Sequence, residues 1–132
     1  MKLLLIFCFS FLAFSGIYAQ TAPQTAIADQ VYIFVEQPPV FDGDLNAYLS
    51  KNIKYPKKAL KKNIQGAIYV SFIVERDGSV SSAKIIRSID KGKSLEKEAL
   101  RVVTHMPKWK PGMQGGKPVR VQYTLPVRFR IE

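Results

Sequence analysis

Few residues in this chain are suited to chemistry or to gripping a partner. Trp109, the only tryptophan, stands between Lys108 and Lys110, with Pro107 and Pro111 outside them, in the stretch MPKWKPG. An indole flanked by ammonium groups is a combination that stacks on a nucleic acid base or holds a partner. A stacking platform, however, carries several aromatics in a basic groove, and tryptophan is highly buried on average. The stretch is therefore read as a core plug folded back over the end of the preceding helix, with its lysines in solvent. His105 is the only histidine and Cys8 the only cysteine. One imidazole and one thiol build no metal cluster. Gly112, Gly115 and Gly116 lack the strand-to-helix context of a phosphate cradle. No nucleophile and base lie close in sequence. The expectation is a non-enzymatic protein without metal or cofactor, in which His105 is a structural residue late in a helix.

Met1-Lys2 followed by the apolar run Leu3 to Ile17 and by Tyr18-Ala19-Gln20 has the form of an export signal cleaved after Ala19. A retained membrane anchor is the alternative, although a spanning helix needs about 20 apolar residues. Cys8 lies inside this segment, so the mature chain would hold no disulfide and would rest on packing alone. The formal net charge is +10. Such a charge favours anionic partners, and export directs it toward envelope polymers, lipid head groups or an acidic protein face, not nucleic acid.

The elements that must position these residues are legible from periodicity. Residues 1–19 are set aside as signal, residues 20–40 as a short lead, and residues 41–132 as one folded domain. Within the lead, VYIFVE at residues 31–36 is β-rich and Pro38-Pro39 ends it. Asp42-Gly43-Asp44 forms a turn whose carboxylates cap a helix. Leu45, Tyr48, Leu49 and Ile53 follow on one helical face. Tyr55-Pro56 interrupts that helix, and Pro56 opens a second short one at its first position. There Ala59 and Leu60 face inward, and Lys57, Lys58, Lys61 and Lys62 face water.

Gln65-Gly66 closes that segment. Ile68, Val70, Phe72 and Val74 then alternate with Tyr69, Ser71, Ile73 and Glu75, and Asp77-Gly78 marks a tight hairpin turn. Val80 to Ile89 returns with broken alternation, which predicts a bulge near Ser81-Ser82. Ser94 is read as a helix cap, ahead of an apolar stripe of Leu95, Ala99, Val102, Val103 and Met106 that Pro107 stops. Val119 to Ile131 alternates without a break, with Arg120, Gln122, Thr124, Pro126, Arg128 and Arg130 on the opposite, wet face.

The predicted fold class is α+β. The hairpin strands are antiparallel, and a right-handed helical connection returns the third strand to the far side of the first. The sheet is then three-stranded and antiparallel in the order 2-1-3, with helices on one face and the last strand at an edge. Pro126, which lacks a ladder donor, fits an edge. Arg120, Arg128, Arg130 and Pro126 serve either as guards against unwanted pairing or as the margin of a rail on which a partner's extended peptide adds a strand.

Taken in order, Tyr55-Pro56, a short lysine-rich helix, IQGAIYVSFIVERDGSVSSAKIIRSID, LEKEALRVVTHMPKWKPG and GKPVRVQYTLPVRF resemble the C-terminal domain of the TonB family over residues 55–131. PPVFDGDLNAYLSKNI resembles the lead-in of Bacteroidetes-type members, with Asp42, Gly43 and Asp44 in place of the usual proline and glycines. The resemblance implies a periplasmic domain of a Gram-negative bacterium. Members couple a proton-driven inner-membrane motor to outer-membrane transporters. It also implies that a transporter's TonB box adds as a strand beside the last strand, here at Val119, Arg120, Val121, Gln122, Tyr123, Thr124, Leu125 and Arg128. The loop Lys54, Tyr55 and Pro56 is then a second contact, while Gly66, Asp77, Gly78, Pro107 and Trp109 serve the fold. A full transducer of the family also carries a long linker. The short lead here leads us to expect a stand-alone domain that binds transporter peptides and supports or modulates transport. The alternatives are an electrostatic binder of peptidoglycan and a short anchored transducer, and the open strand edges permit a homodimer.

Overall fold

The computed structural model describes residues 29–89 and 91–131. The expected signal, residues 1–19, and the first part of the lead lie outside the described residues. Along the chain the elements are β1 (Val31–Tyr32), β2 (Val40–Phe41), α1 (Leu45–Asn52), α2 (Lys57–Lys61), β3 (Gly66–Val74), β4 (Val80–Arg87), α3 (Lys93–Thr104), β5 (Trp109–Lys110), β6 (Gly112–Gln114) and β7 (Lys117–Phe129). Among the described residues no helix is long and apolar enough to cross a membrane.

The main sheet has the order β1-β7-β3-β4. Its three long strands are antiparallel neighbours with β3 in the middle, which is the predicted 2-1-3 arrangement. Alternation decides which side is buried. Ile68, Val70, Phe72 and Val74 of β3 and Val121, Leu125, Val127 and Phe129 of β7 are all buried. Leu95, Ala99, Val102 and Val103 of α3 cover the β3 residues, Leu125, Val127 and Phe129, and Leu49 of α1 and Ala59 of α2 complete the same core. Each fully buried aliphatic or aromatic side chain of this kind stabilises the fold by about 1.5–3 kcal/mol.

Local chemistry accounts for the boundaries. The Asp44 carboxylate accepts from the Ala47 amide at 3.1 Å and caps α1, as its position predicts. The β3–β4 connection is the five-residue stretch 75–79, closed by the Glu75 amide donating to the Ser79 carbonyl at 2.8 Å. The Gly78 amide donates to the Glu75 carbonyl at 2.8 Å, and Gly78 takes φ +85°. Gly115 (φ +58°) and Gly116 (φ +74°) make the two-residue turn of a β6–β7 hairpin, where positive φ at both central positions matches the twist of the flanking strands. The bulge expected in β4 is present: the register shifts between Ser71 and Ile73 opposite Ser82, which sits at φ +51°. A second irregularity opposite Tyr69 and Val70 leaves Ile86 exposed.

Several expectations need correction. The strand read over residues 31–36 keeps only Val31 and Tyr32, because Ile33 and Phe34 turn away from the sheet into solvent. Pro56 caps α2 from outside, so the helix starts at Lys57, and Leu60 is exposed, not inward-facing. Ser94 lies inside α3, whose N-cap is Gly92. That helix ends at Thr104, short of Met106, with His105 as its C-cap. The last strand begins earlier than expected, at Lys117, and three strand pairs were not foreseen: β2 with β5, β6 with β7, and β1 with β7, which covers part of the margin expected to be an open edge.

Trp109 is buried, as predicted, but in a different place. It pairs with Phe41 across β2 and β5. Its indole meets Phe41, Phe72 and Tyr123 at centroid distances of 5.5, 5.5 and 4.9 Å. These neighbours set the ring against β2 and the sheet; the expected seat was the end of the helix.

Candidate functional site: the outer margin of the last strand

From Val121 to Phe129 β7 alternates, which gives it a buried face and a wet face. Its two margins differ as well. One margin pairs with β3 from Val121 to Phe129. On the other, β1 runs parallel for two residues, Val31 opposite Arg120 and Tyr32 opposite Val121, and no further backbone partner follows among the described residues. The stretch from Gln122 to Phe129 therefore presents an unpaired edge.

A groove of about 790 Å³ lies beside that edge. One wall is the α1 side, with Leu49, Ser50 and Ile53, and the other is β7, with Leu125, Arg128 and Phe129. Tyr55 lines it too, so the structure brings this one residue of the expected loop contact beside the strand margin, while Lys54 and Pro56 are not part of the lining. The Tyr55 hydroxyl donates to the Ile64 carbonyl, and its ring stands edge-on to Phe129 at 5.8 Å. Burial pushes its phenol upward from the ordinary value.

The loop is clamped from α3. The Lys54 amide donates to a Glu98 carboxylate oxygen at 3.0 Å. Arg101 donates to the same carboxylate at 3.0 and 3.2 Å and to the Asn52 carbonyl at 2.8 Å. The Arg101 hydrogen bond holds the Glu98 carboxyl below the usual glutamate range. Above it, the Tyr48 hydroxyl donates to the Val102 carbonyl at 3.0 Å. A site on rigid, cross-linked elements keeps its shape before a partner arrives.

The other expected contact residues are less uniform. Gln122, Thr124 and Arg128 are exposed, Tyr123 is half-buried and Leu125 is buried. Val119 pairs with Gly112 of β6. Arg120 is used internally: its guanidinium donates to Glu75 at 2.7 and 3.1 Å and to the Asp29 carbonyl at 2.9 Å. Lys54 is exposed and Pro56 half-buried. Gly66 opens β3 opposite Phe129, Asp77 accepts from the Ser79 amide at 2.9 Å inside the hairpin loop, and Pro107 lies in the connection from α3 to β5.

Sequence reasoning missed the α1 wall. Leu49 and Ile53 were legible as one helical face, but nothing in the periodicity says beside which strand that face ends. It also missed the Glu98–Arg101 clamp, although the i, i+3 spacing of opposite charges was available. Among the described residues no group of histidine, cysteine, aspartate and glutamate is arranged to hold a metal ion. His105 is exposed, with Nδ1 2.7 Å from the Arg101 carbonyl.

Residues 51–131 match the family profile described as Gram-negative bacterial TonB protein C-terminal. The solution structure of the Pseudomonas aeruginosa TonB C-terminal domain is similar in fold, with a TM-score of 0.51 at 23% identity, over 71% of this chain and 85% of that one. A solution structure of the Helicobacter pylori TonB C-terminal domain gives 0.48 at 25% identity, over 65% and 88%. No curated protein matches the chain.

Proposed function

This chain belongs to the family of TonB protein C-terminal domains, and from that premise we propose that it is a non-enzymatic periplasmic binding module of a TonB system. It captures the TonB box, or a similar extended peptide of an outer-membrane transporter, as an added strand on β7. In doing so it supports or modulates transport through that transporter.

The observation that carries this reading is the unpaired margin from Gln122 to Phe129, set beside a groove walled by α1 and Tyr55. Strand addition draws its affinity from main-chain hydrogen bonds and its specificity from pockets that take alternate side chains. The margin offers the first, and the groove offers a pocket floored by Leu49, Ile53, Leu125 and Phe129. Exposed Arg128 and Arg130 add positive charge at the rim.

The test is a proline placed in the margin of a domain that still folds. Thr124 shares the strand parity of Pro126, so its amide points to the same side as a position where β7 already accommodates a residue without an N–H. Thr124→Pro is expected to abolish capture of synthetic transporter N-terminal peptides, and Thr124→Val to retain it. In the wild-type domain, bound peptide should slow amide exchange along Gln122 to Phe129. Unchanged capture by a folded Thr124→Pro domain would overturn the reading.

A further inference from the structure

We propose that the cleft between α2 and the start of α3 is a second docking surface, one that takes an acidic protein segment bearing an apolar side chain. The cleft has a volume of about 840 Å³. Lys58 and Lys62 line it from the α2 side, and Lys91, Lys93 and Lys97 from the α3 side. Among the described residues none of these ammonium groups is in an ion pair, since the ion pairs found are Arg101–Glu98 and Arg120–Glu75. Glu96 is the one described acid on its wall, and Asp90 adjoins Lys91 in the chain.

Ammonium groups held on two facing walls repel one another and raise the local positive potential. A partner carrying carboxylates relieves that repulsion, and the same field steers it inward. Ile64 and Ile89 also line the cleft, and the lysine stems add further apolar surface. A bare polyanion leaves that surface unused. A lipid surface is flat and meets only the rim of a concave site. A peptide with glutamate or aspartate around an apolar residue engages both kinds of lining, and it is the occupant we assign.

The lining of this cleft shares no residue with the groove beside β7, and the proposal does not rest on strand addition there. Both sites can be filled together, so the domain can hold a transporter peptide while an acidic segment of another protein is docked.

The experiment uses the purified protein and a fluorescent peptide of alternating glutamate and leucine at low salt. Lys58→Glu combined with Lys97→Glu should weaken binding by about tenfold or more. Lys110→Glu combined with Lys117→Glu makes the same change in net charge outside the cleft and should weaken it by less than about threefold. A glutamate-only peptide should bind several-fold more weakly than the mixed one. The neutralising pair Lys62→Gln and Lys93→Gln gives the same direction of effect with less perturbation, and thermal melts confirm that each variant is folded. Equal losses in the two reversal pairs overturn the proposal. So does tighter binding of inorganic polyphosphate or phosphatidylglycerol vesicles than of the mixed peptide, and so does an absence of binding.

Discussion

The amide of Trp109 donates to the carbonyl of Gly78 at 2.8 Å, which joins the β3–β4 turn to the segment that carries the indole. A Cβ built on Gly78 would collide with the Trp109 carbonyl oxygen, and the backbone there is at φ +85°. The two sequence signals that looked independent, a hairpin glycine and a lone tryptophan, are one structural joint. Gly78→Ala should therefore lose about 2 kcal/mol or more, since the left-handed backbone alone costs about 1–2 kcal/mol. Gly115→Ala is the control. It shares positive φ, but its added Cβ meets nothing within 4 Å. Its loss should stay near the backbone value of roughly 1 kcal/mol in urea unfolding.

The indole itself is a space-filling group. Trp109 is 4% exposed, and its ring nitrogen has no hydrogen-bond partner among the described residues. Trp109→Ala should lose about 3–5 kcal/mol, as large aromatic deletions in cores do. Trp109→Phe keeps a ring against Phe41, Phe72 and Tyr123 and removes an unpaired buried donor. Its loss should be under about 2 kcal/mol, and peptide capture should be unchanged. A Phe variant that folds normally but fails to bind a partner would return Trp109 to a recognition role.

The Glu75–Arg120 pair ties β7 to the end of β3 and sets a pH dependence. The Arg120 hydrogen bond is the main reason the Glu75 carboxyl lies below its ordinary value of 4.5, and Glu98 is lowered in the same sense by Arg101. Depressed carboxyl values contribute stability above the unfolded value, and that contribution disappears as pH falls through the folded one. Stability should therefore hold steady down to about pH 5 and decline below it. Glu75→Gln should be less stable at neutral pH and should lose less on acidification. Urea midpoints of both proteins across that range decide the point. Parallel curves for wild type and variant would mean the pair is silent.

Much of this was legible in the sequence, for identifiable reasons. Period-two alternation from Val119 and from Ile68 fixed both long strands and their buried faces, because one face of each packs on helices. Asp77-Gly78, Asp44 and the stripe from Leu95 to Val103 carried the turn, cap and helix signals. Two-residue pairings left no such trace: β2 and β5 form because Phe41 and Trp109 meet in three dimensions, and no local pattern of that length is distinctive. Ser94 misled because a serine near a helix start is only a capping option, and here the chain enters α3 through Gly92. Arg120 read as an edge guard because its partners, Glu75 and the Asp29 carbonyl, are remote in sequence. The candidate site shared this asymmetry. Its strand was legible, whereas its α1 wall depended on helix packing.

The lead segment sets where the open margin begins. β1 covers β7 only at Arg120 and Val121, after which Ile33 and Phe34 leave the sheet, 66% and 90% exposed. A peptide adding along β7 in the proposed manner would therefore meet β1 at one end and stop there. Tyr32→Pro removes a donor from that short pairing. Because β1 is only 2 residues long, the fold should be destabilised by no more than about 1 kcal/mol. The uncovered stretch at Arg120 and Val121 becomes available to the incoming strand. Each further main-chain hydrogen bond is worth about 0.5–1.5 kcal/mol net, so a transporter peptide long enough to use the added length should bind up to about tenfold tighter. A peptide that ends at Gln122 should show no gain. Amide-exchange footprints should extend to Arg120 and Val121 for the longer peptide alone. Identical footprints and affinities in wild type and Tyr32→Pro would show that β1 does not limit the edge, and that the boundary of the site is set by the groove beside α1 instead.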